Sequence, residues 1–271
     1  MSVSERLPRL AASSYLNSAP LIWSFMHGAM KHQVTLTGPV PSKCADLLAE
    51  DAVDAALVPV IEYQRIPGIH LVPEVCVGSK EKVRSVVLVT RSNDLKSVES
   101  VALDQSSRTS ATLVKIIFQE FLGNKPRWQT TVPDLRAMLP NNDAALIIGD
   151  PGMTFSRDGH HVWDLARLWR QYTGLGFVFA MWMMRDVAAA GAERLDFASA
   201  RDEGLACLDE IVAHYEKLLP LSRADIVAYL TDNISFTPDE TMQRGMRLYF
   251  ELAYKQGLID SLKPLRFSAR E

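Results

Sequence analysis

The sequence predicts an α/β protein of two lobes with a ligand cleft between them and two chain crossings. Three observations predict it. The first third alternates strand-like and helix-like segments, a second alternation starts near residue 100, and the chain turns helical after Arg185. A β-α-β-α-β series implies a parallel sheet with helices packed on it. Two such series in one chain imply two sheets. The expected division puts residues 1–91 and 177–271 in lobe one and 92–176 in lobe two.

Each element follows from local pattern. "RLAASSYL" at 9–16 is strand-like, and Pro20 starts a helix through Trp23 and Met26, since proline suits a first helical turn. "QVTLTG" alternates as a strand, and "PSKCADLLAEDAV" opens on Pro41 with Leu47 and Leu48 at helical spacing. "DAALVPV" is a short buried strand. "IHLVPEVCVG" and "SVVLVT" are extended segments, and the polar stretch 91–100 reads as the crossing into the second lobe. There "SVALD" is a strand, 108–122 a helix, "RWQTT" a strand, "PDLRAML" a short helix and "AALIIGD" a buried strand. "VWDLARLWRQY" reads as a helix and "FVFAMWMM" as the strand that returns. The last helix begins at Pro238, with Asp239 and Glu240 at its positive end.

Bulk properties exclude several function classes. With 271 residues the chain buries roughly 70–75% of its unfolded surface, enough for a large core. A net charge of −3 without a basic stripe argues against nucleic acid. The longest apolar run, "LGFVFAMWMM", is about half of the ~20 residues a membrane helix needs. The N-terminal stretch is broken by Ser13, Ser14, Asn17 and Pro20, a poor signal-peptide core. Cys44, Cys76 and Cys207 lie far apart with no CxxC, which fits free thiols in a reducing compartment. A cytoplasmic protein is expected, with no metal and no cofactor. Oligomeric state is not legible.

Ligands of open parallel sheets bind beyond the carboxyl ends of the strands. The residues at those places here are small and polar. The most informative stretch is "LDQSSRTSATLVKII" at 103–117. Its helix is expected to begin near Thr109 or Ser110, and a first turn offers free N–H groups and partial positive charge. No carboxylate fills that turn, and Arg108 sits just before it. Ser106, Ser107, Arg108, Thr109 and Ser110 therefore read either as an anion site or as a serine-rich cap on an ordinary helix. "YLNSAP" at 15–20 divides likewise: Asn17 either meets a ligand or shapes an Asx-turn. In "GDPG", Gly149 permits close backbone approach, and Asp150 either caps a helix or binds a hydroxyl. His160 and His161 point apart on extended backbone. There is no GxSxG, HExxH or phosphate loop.

Six segments together carry a resemblance: "SYLNSAPL", "DAALVPVIEY", "RSVVLVTRS", "ALDQSSRTSATLVKII", "AALIIGDPGM" and "DLARLWRQYTGLGFVFAMW". In order and spacing the chain, up to about Trp182, resembles the chorismate dehydratases of the futalosine route to menaquinone. The resemblance implies the type II periplasmic-binding-protein fold and dehydration of chorismate to 3-[(1-carboxyvinyl)oxy]benzoate without metal or cofactor. It puts Asn17 and Ser85 at the reacting ring. Tyr15 and the loop Ser106 to Ser110 hold the substrate, while Gly149, Asp150, Thr173 and Gly174 complete the far wall. The general base stays open; a carboxylate of the substrate is one candidate. Gly176 stands where many relatives are expected to carry proline, which would loosen the hinge.

Two other functions compete. The 1,4-dihydroxy-6-naphthoate synthase of the same route resembles this chain in architecture, but is expected to use a histidine in the second lobe, and 71–159 has none. A non-catalytic small-anion binding protein would share the fold without the chemistry.

Overall fold

The computed structural model describes residues 6–186 and 191–268. Strand β1 (Arg9–Ala11) leads through the turn Leu16–Ser18 to helix α1 (Ala19–Met26). Strand β2 (Thr35–Thr37), helix α2 (Pro41–Ala49), strand β3 (Ala55–Pro59) and helix α3 (Glu62–Arg65) follow. Pro20 and Pro41 sit in the first turns of α1 and α2, where their missing N–H removes no helical bond. The first strand is shorter than expected. The Ala12 N–H still donates to the Thr37 carbonyl of β2, and beyond it the chain turns away from the sheet, with Ser13 at the cleft.

Strand β4 (Ile69–Ser79) completes this side, and strand β5 (Val86–Thr90) opens the other. Strand β6 (Ser100–Asp104), helix α4 (Arg108–Ile116), strand β7 (Arg127–Thr131) and helix α5 (Leu135–Met138) come next. They are followed by strand β8 (Ala144–Ile148), helix α6 (Gly149–Thr154), strand β9 (His161–Asp164) and helix α7 (Leu165–Thr173). Strand β10 (Phe177–Arg185) returns to the first sheet. The chain ends in helices α8 (Phe197–Ala206), α9 (Leu208–Tyr215), α10 (Arg223–Ala228) and α11 (Glu240–Lys255). No helix among the described residues is long and apolar enough to cross a membrane.

The described strands form two five-stranded sheets, ordered β2-β1-β3-β10-β4 and β7-β6-β8-β5-β9. In each, four strands run in one direction and the strand that crosses from the other lobe, β10 or β5, runs antiparallel to its two neighbours. The reason is geometric. The parallel strands end at the cleft, whereas a crossing strand starts there. The sheets are therefore mixed, not purely parallel as expected.

Two sequence expectations are corrected. Strand β5 pairs with β8 and β9, so the chain changes sheets within 80–85 and not at 91–100. The apolar run of β5 marks sheet membership, and the charged link before it is the crossing. Residues 161–164 form an edge strand on β5, not the start of a helix. Asp164 ends that strand because its carboxylate caps α7 through the Arg167 N–H, at 3.0 Å, and also accepts from Val83 and Arg84 at the crossing.

The main core runs through both lobes, with Trp169, Trp182, Tyr249 and Phe177 fully buried. Each such ring removes roughly 150–250 Å² from water. A smaller cluster, Val87, Val89, Ala102, Met138, Leu139, Ala145 and Ile147, sits on the opposite face of the second sheet. The return crossing is firmly held. Trp169 Nε1 donates to the Gly176 carbonyl at 3.2 Å, and the space a Cβ would take at Gly176 is filled by Met242 of α11. Gly176 thus serves close packing and does not loosen the hinge.

Candidate active site between the lobes

Both sheets send their strand ends to one cavity. Ser13, Tyr15, Asn17 and Ser18 reach it after β1, and Leu57 and Pro59 at the end of β3. Val86 reaches it at the start of β5, Ile148 and Gly149 at the end of β8, and Phe179 and Ala180 from β10. The loop Ser106 to Ser110 closes one wall. About 530 Å³ of non-atom space, solvent included, lies between them.

The sequence-predicted residues divide into three groups. Tyr15, Asn17, Ser106, Ser107, Arg108, Thr109, Ser110 and Gly149 line the cavity. Asp150 and Ser85 lie behind the lining. Thr173 and Gly174 lie elsewhere: Thr173 Oγ1 donates to the Trp169 carbonyl at 2.8 Å and Gly174 ends α7 in the left-handed conformation. Those two are helix-ending residues, and the expectation that they wall the cavity is not met.

The wall at α4 has the character of an anion site. The helix starts at Arg108, one or two residues earlier than expected, with Ser107 as its N-cap. Ser107 makes no capping hydrogen bond, and the first turn holds no acidic residue. The N–H groups of that turn and the helix dipole therefore face the cavity without a counter-charge from the turn itself. Among the described residues, the hydroxyls of Ser107 and Ser110 have no hydrogen-bond partner. Asn17 Oδ1 accepts from Ser18 Oγ at 3.1 Å, which leaves its amide NH2 as a donor. Asp104, buried at the end of β6, shapes the loop by accepting from Ser106 N and Oγ at 2.8 and 2.6 Å. Burial holds the Asp104 carboxyl above its usual range.

Arg108 behaves differently from the expectation. Its guanidinium donates to Glu62 Oε2 at 3.0 Å and to Asp46 Oδ1 at 2.5 Å. Glu62 also pairs with Arg65 and is almost wholly buried. Arg108 starts a helix of the second lobe, and both carboxylates belong to the first. It is a clasp between lobes, and its charge is already engaged. The neighbouring Thr109 adds two further ties: its Oγ1 accepts from Ile61 N at 3.2 Å and its carbonyl from the Tyr249 hydroxyl at 2.9 Å.

Ser85 is fully buried, and its hydroxyl accepts from the Tyr229 hydroxyl at 2.7 Å. Its neighbour Val86 lines the cavity instead. Alternation along an extended chain explains the exchange, since successive side chains point to opposite faces. Asp150 Oδ1 accepts from the Leu16 N–H of the opposite lobe at 3.0 Å. Gly149 has φ +66°, and an added Cβ would stand 2.7 Å from the Tyr15 ring. Burial, then the Asp104 charge, raise the Tyr15 pKa.

Sequence reading missed Leu57, Pro59, Val77 and Val86 of the apolar wall. No local signal marks those residues, which read as ordinary core strands. It also missed the acceptors of Arg108. Among the described residues no cluster of histidine, cysteine, aspartate or glutamate is arranged to hold a metal.

Comparison with known proteins adds the lineage. A family model described as menaquinone biosynthesis matches residues 8–255. A relative from Thermus thermophilus named chorismate dehydratase is 28% identical over 261 residues, covering 89% of this chain and 93% of the relative. Among solved structures, a protein of Archaeoglobus fulgidus superposes with a TM-score of 0.78 at 15% identity, covering 95% of this chain and all of that one. The periplasmic aliphatic sulphonate binding protein of Escherichia coli superposes with a TM-score of 0.62 at 16% identity, covering 98% and 95%. A Candida albicans protein described as having the generic periplasmic binding protein fold gives 0.64 at 15%, covering 95% and 92%. At those identities the likeness is one of fold, and it agrees with the two-sheet, two-crossing architecture.

Proposed function

The chain belongs to the menaquinone biosynthesis family, and from that premise we propose that it is a hydro-lyase that removes water from chorismate. The observation that carries the proposal is the 28% identity, over 89% of the chain, to a protein named chorismate dehydratase. The cavity supports it independently. Chorismate is a cyclohexadienol with two carboxylates, and loss of its ring hydroxyl with a ring proton gives 3-[(1-carboxyvinyl)oxy]benzoate and water.

The product ring is aromatic, so the driving force is built into the substrate. The protein's task is to hold and orient. A carboxylate suits the start of α4, where free N–H groups and the Ser107 and Ser110 hydroxyls converge. The ring suits the wall of Leu57, Pro59, Val86 and Phe179. The Asn17 amide NH2 suits the departing hydroxyl, as the donor at the opposite lip. We assign Ser85 to the layer behind that wall, where it anchors Tyr229. We place the protein in the cytoplasm, in keeping with Cys44, Cys76 and Cys207 as free thiols.

The test is direct. Purified protein with chorismate, and no added metal or cofactor, should show loss of the diene absorbance and appearance of the substituted benzoate. Chorismate recovered unchanged, but bound, would leave the non-catalytic binding role.

A further inference from the structure

The turn that carries Asn17 is held from two sides. From lobe one, the Tyr215 hydroxyl donates to the Ser14 carbonyl at 2.7 Å, and Ser13 Oγ accepts from Tyr15 N. The Leu16 side chain is fully buried and anchors the turn. From lobe two, the Leu16 N–H donates to Asp150 Oδ1 at 3.0 Å. Leu16 opens the single helical turn Leu16–Ser18, and its N-cap Tyr15 supplies no side-chain acceptor. Its N–H is thus an orphan of the first lobe, and the acceptor comes only when the second lobe is in place.

The other half of the contact is built for this purpose. Gly149 takes φ +66° at the end of β8, which turns the chain sharply so that Asp150 aims back across the cleft. The lack of a Cβ at Gly149 lets the Tyr15 ring lie against it, next to the same bond. Among the described residues, the Leu16 N–H is the hydrogen-bond donor to that carboxylate. Burial is the main influence on its ionisation, and the Leu16 N–H is the group that opposes it.

We infer that Asp150 is a positioning residue for Asn17: when the lobes meet, its carboxylate fixes the Leu16 amide and so sets where the Asn17 side chain stands over the ring. Asp150 does not touch the substrate in this arrangement; it acts through the backbone one residue before Asn17. A misplacement of about 1 Å at a reacting group costs up to ~100-fold in rate, so lobe closure and reactive geometry become one event. The kinetic part of this inference rests on the chorismate reading, whereas the structural part does not.

The bond is sensitive to pH. The carboxyl titrates near 6, where burial has pushed it. The titratable groups that feel it are the phenols of Tyr15, Tyr215 and Tyr229, all of them neutral at that pH. Arg84 and Asp164 stand farther off, around Tyr229. Protonation of Asp150 removes the charge from the bond to Leu16 and leaves a weaker neutral acceptor.

Two measurements test the inference. In kinetics, Asp150→Ala should lower kcat about 10–100-fold with KM changed by less than about threefold, the pattern of an interaction that matters after binding. Asp150→Asn, which keeps an acceptor oxygen, should recover part of that loss, at least about threefold. The wild-type fall in kcat below about pH 6 should disappear in Asp150→Asn. A rise in KM with kcat intact would show that Asp150 binds substrate and would overturn the inference. In spectroscopy, the Leu16 amide of leucine-labelled protein should titrate with a midpoint near 6 in the wild type and not in Asp150→Asn. This readout needs no turnover. Wild-type protein inert toward chorismate would refute the proposed reaction alone, while a Leu16 amide indifferent to pH would refute the role of Asp150 whatever the reaction.

Discussion

Replacing Asp150 by asparagine takes a charge out of a place that disfavours one. Burial raises the carboxyl from its ordinary 3.8 to about 6, and the Leu16 N–H offsets only part of the rise. Each pKa unit is worth about 1.4 kcal/mol, so the ionised group costs the fold about 3 kcal/mol at neutral pH. Between about pH 4 and 6 the folded chain holds a proton here that the unfolded chain has lost. Stability from this group therefore falls as pH rises through that window, and the full cost is present above it. Asp54, Asp143 and Asp239 are shifted downward and act in the opposite sense as pH falls, so the variant must be compared with its parent at each pH. The expected result of urea denaturation is an Asp150→Asn variant about 3 kcal/mol more stable near pH 7.5, with the gap closing to within about 1 kcal/mol near pH 4. At roughly 2–4 °C per kcal/mol, the neutral-pH gain should also show in the melting temperature. A gap that is the same at all pH values, or a variant less stable at neutral pH, would refute the reasoning. The gain would come at the expense of turnover, as expected where a strained group serves function.

Three other substitutions probe the cleft. Arg108→Ala should cost about 1–3 kcal/mol in chemical denaturation, because Glu62 stays buried with Arg65 as its remaining cation; it should also raise KM by loosening lobe closure, and unchanged stability would show that the clasp is idle. Gly149→Ala should cost roughly 1–3 kcal/mol from its left-handed backbone and the contact with Tyr15, with a rise in KM; a neutral result would show that the Tyr15 ring does not depend on the missing Cβ. Ser85→Ala should leave the buried Tyr229 hydroxyl without its acceptor at about 1–3 kcal/mol. Adding Tyr229→Phe should recover part of that loss, and strictly additive effects in the double-mutant cycle would separate the two residues.

Several features of the molecule were written locally. The alternation of apolar segments marks two α/β units, and Pro20, Pro41 and Asp239 mark helix starts where the structure has them. The run of small hydroxyls after β6 marks an unfilled helix start, and it does line the cleft. These properties depend on neighbours within a few residues, through period, capping and chain stiffness. Where the reading stopped short, as at the crossing before β5 and the edge strand before α7, the segment's place was set by its pairing with β8 and β5 and not by its own composition.

The sequence by itself determined most of the strands and helices, that there are two lobes, and which strand ends carry polar groups. Only the tertiary structure decided what those groups face. Arg108 stands 62 residues from Asp46, Ser85 stands 144 from Tyr229, and Asp150 stands 134 from Leu16. A charge or hydroxyl is satisfied by whatever partner folding brings within about 3 Å, and that distance depends on how one sheet sits against the other. This is why Arg108 became a clasp, Thr173 a helix end, and Asp150 a bridge to the turn of Asn17.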